Sequence, residues 1–109
     1  MFKIEKERLV KGWPATVTLA QDNGETESHA ITLDLLLLDV EQSDKVLRYF
    51  KEDVKKVIKG WSGIGDANGK PLEYTAENLD LVMSNPAFMK TAVDAYLKAN
   101  SGQAVEKNS

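Results

Sequence analysis

Apolar and polar residues alternate through the first forty positions, and the alternation has the two-residue period of half-buried strands. Phe2 and Ile4 alternate with Lys3 and Glu5, which predicts a short first strand. Trp13, Ala15, Val17 and Leu19 share one face of a second, and Ile31, Leu33, Leu35 and Leu37 one face of a third. Asp22-Asn23-Gly24 between them signals a hairpin. A two-residue turn would place the two apolar sets on opposite faces. A three-residue loop pairs Val17 with His29 and Ala15 with Ile31, so the sets agree and Gly24 takes a left-handed conformation. Pro14 has no amide proton to give a ladder, which puts the start of its strand at a sheet edge.

The run Leu35–Leu38 fits two periods. Leu33, Leu36, Leu37 and Val40 also have helical spacing, and the strand-to-helix break is placed around Asp39 to Ser43. From Ser43 the pattern is helical. Val46, Leu47, Phe50, Val54, Val57, Ile58 and Trp61 fall within one apolar arc, Ser43 is the expected cap and Gly60 the expected stop. On this reading Trp61 folds back on Val57 or Ile58. Residues 61–74 hold three glycines and a proline and read as a loop. Thr75 caps a short helix carrying Leu79, Val82 and Met83, and Asn85-Pro86 opens a last helix. The fold class is α+β: an N-terminal hairpin or small sheet packed with about three helices, forming one domain over 1–99, followed by a polar tail over 100–109.

Composition bounds what this domain can do. The 109 residues are 42% hydrophobic and 28% charged, with a net charge of −3 and no cysteine. That balance suits a globular core, supplies no field for nucleic acid or anionic lipid, and excludes disulfides and thiolate metal sites. No apolar run exceeds four residues, so no membrane span or signal core is expected, and the cytoplasm is the expected compartment. His29, the one histidine, reads as a solvated strand residue. Asp66-Ala67-Asn68-Gly69 starts like a calcium loop, but Lys70 and Pro71 stand where a ligand and a glycine are required, so a plain turn is expected. No catalytic, cofactor-binding or metal constellation emerges, which favours a binding protein over an enzyme.

Two surfaces are candidates for binding. Phe88, Met89, Ala92, Val93 and Tyr96 make the last helix apolar over nearly half its circumference, which means either burial on two sides or a face kept for a partner. Arg48, Lys51, Lys55 and Lys59 line the opposite side of the middle helix. Over residues 40–60 six basic side chains face four acidic ones, a net of +2, so this side reads as a solvated face able to tune encounter. Trp13 is either core or exposed anchor.

The segment from Val57 to Tyr96 resembles the small tail-assembly chaperones of long-tailed bacteriophages and prophages. The resemblance runs through Val57-Ile58-Lys59-Gly60-Trp61-Ser62-Gly63, Asp66-Ala67-Asn68-Gly69-Lys70-Pro71-Leu72, Tyr74-Thr75-Ala76-Glu77-Asn78-Leu79, Asn85-Pro86 and Ala95-Tyr96. It implies a non-enzymatic protein that binds the tape-measure protein, keeps its hydrophobic helices soluble during tail morphogenesis and helps recruit tail-tube protein. A second copy of the chain is a further candidate partner. Neither a cofactor nor a membrane is implied. The competing classes are a structural tail or head–tail connector component and a nucleic-acid-binding regulator.

Overall fold

The computed structural model describes residues 1–103. Three antiparallel strands, β1 (Arg8–Ala20), β2 (Thr26–Leu37) and β3 (Ile58–Ser62), form a sheet in the order β1-β2-β3. Four helices, α1 (Val40–Leu47), α2 (Lys51–Val57), α3 (Ala76–Met83) and α4 (Pro86–Asn100), accompany it. The result is a two-layer α+β domain. Residues 1–7 form no strand, so the first expected strand is absent; Phe2 and Ile4 are fully exposed and have no neighbouring strand to pair with. The polar tail expected from residue 100 falls largely outside the described residues. Asn100 itself closes α4.

The hairpin takes the expected register. Val17 lies opposite His29 and Ala15 opposite Ile31. Gln21 N–H donates to Glu25 O at 2.7 Å, which leaves Asp22–Gly24 as the loop, with Gly24 at φ 78°. A methyl group at Gly24 would meet nothing within 4 Å, so the cost of Gly24→Ala is purely conformational. Urea unfolding should show a loss of about 1 kcal/mol with an unchanged slope. A variant as stable as the parent would refute the left-handed requirement.

Matching faces decide what is buried. Ile31, Leu33, Leu35 and Leu37 are all buried on the inner face of β2, under α4 and α2. Each contributes roughly 1.5–3 kcal/mol by leaving water. At the sheet-to-helix junction Leu38 N–H donates to the Tyr96 hydroxyl at 2.9 Å, and that hydroxyl bonds Ser43 Oγ at 2.7 Å. Ser43 Oγ donates to Leu38 O at 3.1 Å, and Asn100 Nδ2 donates to Ser43 at 3.0 Å. The cycle satisfies every polar atom of a buried site. Ser43 is thus a junction residue; the cap of α1 is Asp39, whose carboxylate accepts from Gln42 N–H at 2.9 Å. Thr75 and Asn85 cap α3 and α4 as expected, and Pro86 occupies the first turn of α4.

The single middle helix of the sequence pattern is two helices and a strand. Helix α1 ends with Tyr49 left-handed at φ 64°; Tyr49 N–H bonds Val46 O at 3.0 Å and Phe50 N–H bonds Lys45 O at 3.3 Å. This pairing is a Schellman termination with tyrosine where glycine is usual. Beyond α2 the chain is extended. Ile58 pairs with Leu35 and Trp61 with Leu33, and a bulge at Lys59 sets these two apolar residues three apart on one face. Gly60 is no helix stop. It lies opposite Asp34 on the outer face, where a Cβ would sit 2.5 Å from the Asp34 carboxylate. Asp34 also accepts from Gly12 N–H at 2.8 Å, pinning the bulge in β1.

Candidate interaction surface

The apolar arc of α4 is core. Phe88, Ala92, Val93 and Tyr96 are buried and Met89 is half-buried, because α4 packs against the sheet on one side and against α1 and α3 on others. Of the two explanations for the breadth of that arc, burial on two sides holds, and the four buried residues offer no surface to a partner. Trp13 is also turned inward, opposite Leu33 and half-buried against the core.

The basic residues do not form one face. Arg48 caps α1 and pairs with Asp44 at 3.1 Å; Lys51 and Lys55 lie on α2; Lys59 sits on the β3 bulge. Lys55 is spent on Asp80 of α3 and, at 3.7 Å, on Glu52. Hydrogen bonding from Lys55 holds the Asp80 carboxyl below its ordinary value, and the same bond raises the Lys55 amine. Lys51 and Lys55, one turn apart on α2, both act on Asp80, while the break after Leu47 and the bulge at Lys59 put Arg48 and Lys59 on other elements.

The break instead presents an aromatic pair that periodicity alone had assigned to a helix interior. Tyr49 and Phe50 are 45% and 51% exposed at the α1–α2 corner, between Arg48 and Lys51. A left-handed tyrosine costs of order 1 kcal/mol, and such strain gathers at binding sites. Lys90 of α4 lies within electrostatic reach of Tyr49, and its amine is raised chiefly by Asp94 at 2.7 Å. Phe50 begins α2 without any side-chain cap bond. One sequence signal marks this corner: Glu52 and Asp53 occupy the first turn of α2, where acidic residues match the positive helix end. Half-exposed rings set among charges of both signs suit the apolar stripe of an amphipathic helix.

Other candidates have structural roles. The Asp66 carboxylate accepts from Asn68 N–H at 2.9 Å and Lys70 N–H at 3.0 Å, so it closes a turn. His29 pairs with Glu27 on the exposed hairpin, while the Ser28 hydroxyl bonds Thr18 Oγ1 at 3.2 Å. Among the described residues no helix is long and apolar enough to cross a membrane.

These features define a small two-layer α+β protein with an exposed aromatic corner as its candidate contact surface. The chain belongs to the YdaY prophage protein family, whose model matches residues 15–108. No curated protein and no solved structure matches it.

Proposed function

We propose that this prophage protein is a non-enzymatic tail-assembly chaperone that binds the tape-measure protein and keeps its helices soluble. The observation that supports this reading is the Tyr49–Phe50 pair, held out to solvent by a strained corner and flanked by Arg48 and Lys51. A holdase needs adaptable apolar surface ringed by charge, and a helix laid against this corner would cover both rings. The prophage family supplies the setting.

Phe50→Asp tests the idea with little risk to the fold. Aspartate is a preferred residue at the start of a helix, and here it would cap α2, which phenylalanine leaves uncapped, gaining about 0.5–2 kcal/mol. Co-expression with the tape-measure protein should raise that partner's soluble yield several-fold, and Phe50→Asp should remove the gain while circular dichroism stays unchanged. A wild-type chain that leaves the partner's solubility unaltered overturns the reading.

A further inference from the structure

The two edges of the sheet are treated differently. The β3 edge is covered by its own loop: Trp61 Nε1 donates to Leu72 O at 2.8 Å, and the Tyr74 hydroxyl donates to Ile58 O. Strand β1 is an edge strand, with β2 as its one neighbour. Its first half carries the usual protections of an edge, Lys11, the Gly12 bulge and Pro14. Its second half, Ala15-Thr16-Val17-Thr18-Leu19-Ala20, carries none. These six residues are uncharged, β-prone and free of glycine and proline, the composition that readily accepts another strand.

Backbone direction sharpens the point. The Gln21–Glu25 pair is hydrogen-bonded, so alternate residues back along the strand, Val17 and Leu19, bond to β2. Thr16, Thr18 and Ala20 therefore turn their N–H and C=O groups outward. The Thr16 carbonyl meets Thr91 Oγ1 of α4 at 3.3 Å, and that hydroxyl is closer to Ala87 O at 2.8 Å. Val17 and Leu19 point their side chains to the inner face yet remain half-buried.

We infer that this edge is a homodimer interface, in which β1 of a second copy adds antiparallel across a twofold axis at Thr18. Thr18 then faces its own counterpart, and Thr16 faces Ala20 of the second copy. Each outward N–H finds a carbonyl, and Pro14, which lacks one, falls outside the ladder. Val17 of each copy gains Leu19 of the other on the inner face. Charge favours the same arrangement. The strand begins basic, at Arg8 and Lys11, and ends at an acidic tip, Asp22, Glu25 and Glu27, so the antiparallel twofold sets each basic start beside an acidic tip. The product is a continuous six-stranded sheet. It is independent of the chaperone reading, since the Tyr49–Phe50 corner lies outside it.

Sedimentation of the full chain over a range of concentrations should show a species of twice 12.1 kDa. Thr18→Lys and Thr18→Glu each place like charges opposite one another across the axis, and each alone should sediment as a folded monomer. Mixed in equal amounts they should restore the dimer. In the wild type, amide exchange at Thr16, Thr18 and Ala20 should slow at least tenfold with rising concentration, while Val17 and Leu19 stay protected throughout. A wild type that remains monomeric at every concentration overturns the inference. So does a dimer that persists unchanged in Thr18→Lys.

Discussion

Phe88→Asp should unfold the protein. Phe88 is 4% exposed, with its ring edge-on to Trp61 at a centroid distance of 6.5 Å. Losing the ring costs about 3–5 kcal/mol. The carboxylate that replaces it would have no partner in the core, which adds several kcal/mol more. One effect runs the other way: the position is in the first turn of α4, where a negative charge gains roughly 0.3–1 kcal/mol. That gain is too small to matter. The sum reaches the whole stability of an ordinary domain, about 5–15 kcal/mol. Circular dichroism should show loss of the helical signal and of any cooperative melt, in contrast to Phe50→Asp. A cooperative melt near that of the wild type would mean the ring is not core.

Trp61→Ala should cost about 3–5 kcal/mol by urea unfolding. The indole leaves water only in part, so burial alone does not account for that figure. It also stands edge-on to Tyr74 at 5.0 Å and to Phe88 at 6.5 Å, contacts worth about 0.5–1.5 kcal/mol each. Its N–H satisfies Leu72 O and so fastens the 63–74 loop over the edge of β3. Trp61→Phe, which keeps most of the ring and loses the donor, should cost about 1 kcal/mol from the hydrogen bond. Equal losses for the two variants would show that the loop bond, not the ring, carries the effect.

What the sequence disclosed and what it hid follow from the range of the interactions involved. The hairpin was legible because alternation and a turn tripeptide are local, and the register followed from requiring the apolar faces to agree. The caps Thr75 and Asn85 were legible for the same reason. Strand β3 was not. Its bulge at Lys59 puts Ile58 and Trp61 three residues apart on one face, so the strand imitates a helix. Gly60 looked like a helix terminator, whereas its small size answers to Asp34, twenty-six positions earlier in the chain. The corner at Tyr49 uses a tyrosine in a glycine's conformation, and propensity argues against placing a turn there. The candidate surface moved with these errors. A broad apolar arc on α4 does not say whether the second half of the arc meets solvent or another helix. Only the packing of α1 and α3 against α4 decides that.

The Tyr96 cycle ties the order of synthesis to the order of folding. On a ribosome the hairpin emerges first and can zip on its own, since its contacts are local. Its inner face, Ile31, Leu33 and Leu35, must then wait while some fifty further residues are made before α4 arrives to cover it. Until Tyr96 engages Leu38 and Ser43, the junction between β2 and α1 rests on the Asp39 cap and the pairing of Leu37 with Arg8 alone. The nascent chain thus holds an apolar sheet surface and an unprotected strand edge at the same time. On polysomes, where many copies are made side by side, that is the stage at which strand exchange between neighbours competes with folding. Slowing translation between the hairpin and α4 should therefore lower the yield of folded protein more than the same delay placed before β1.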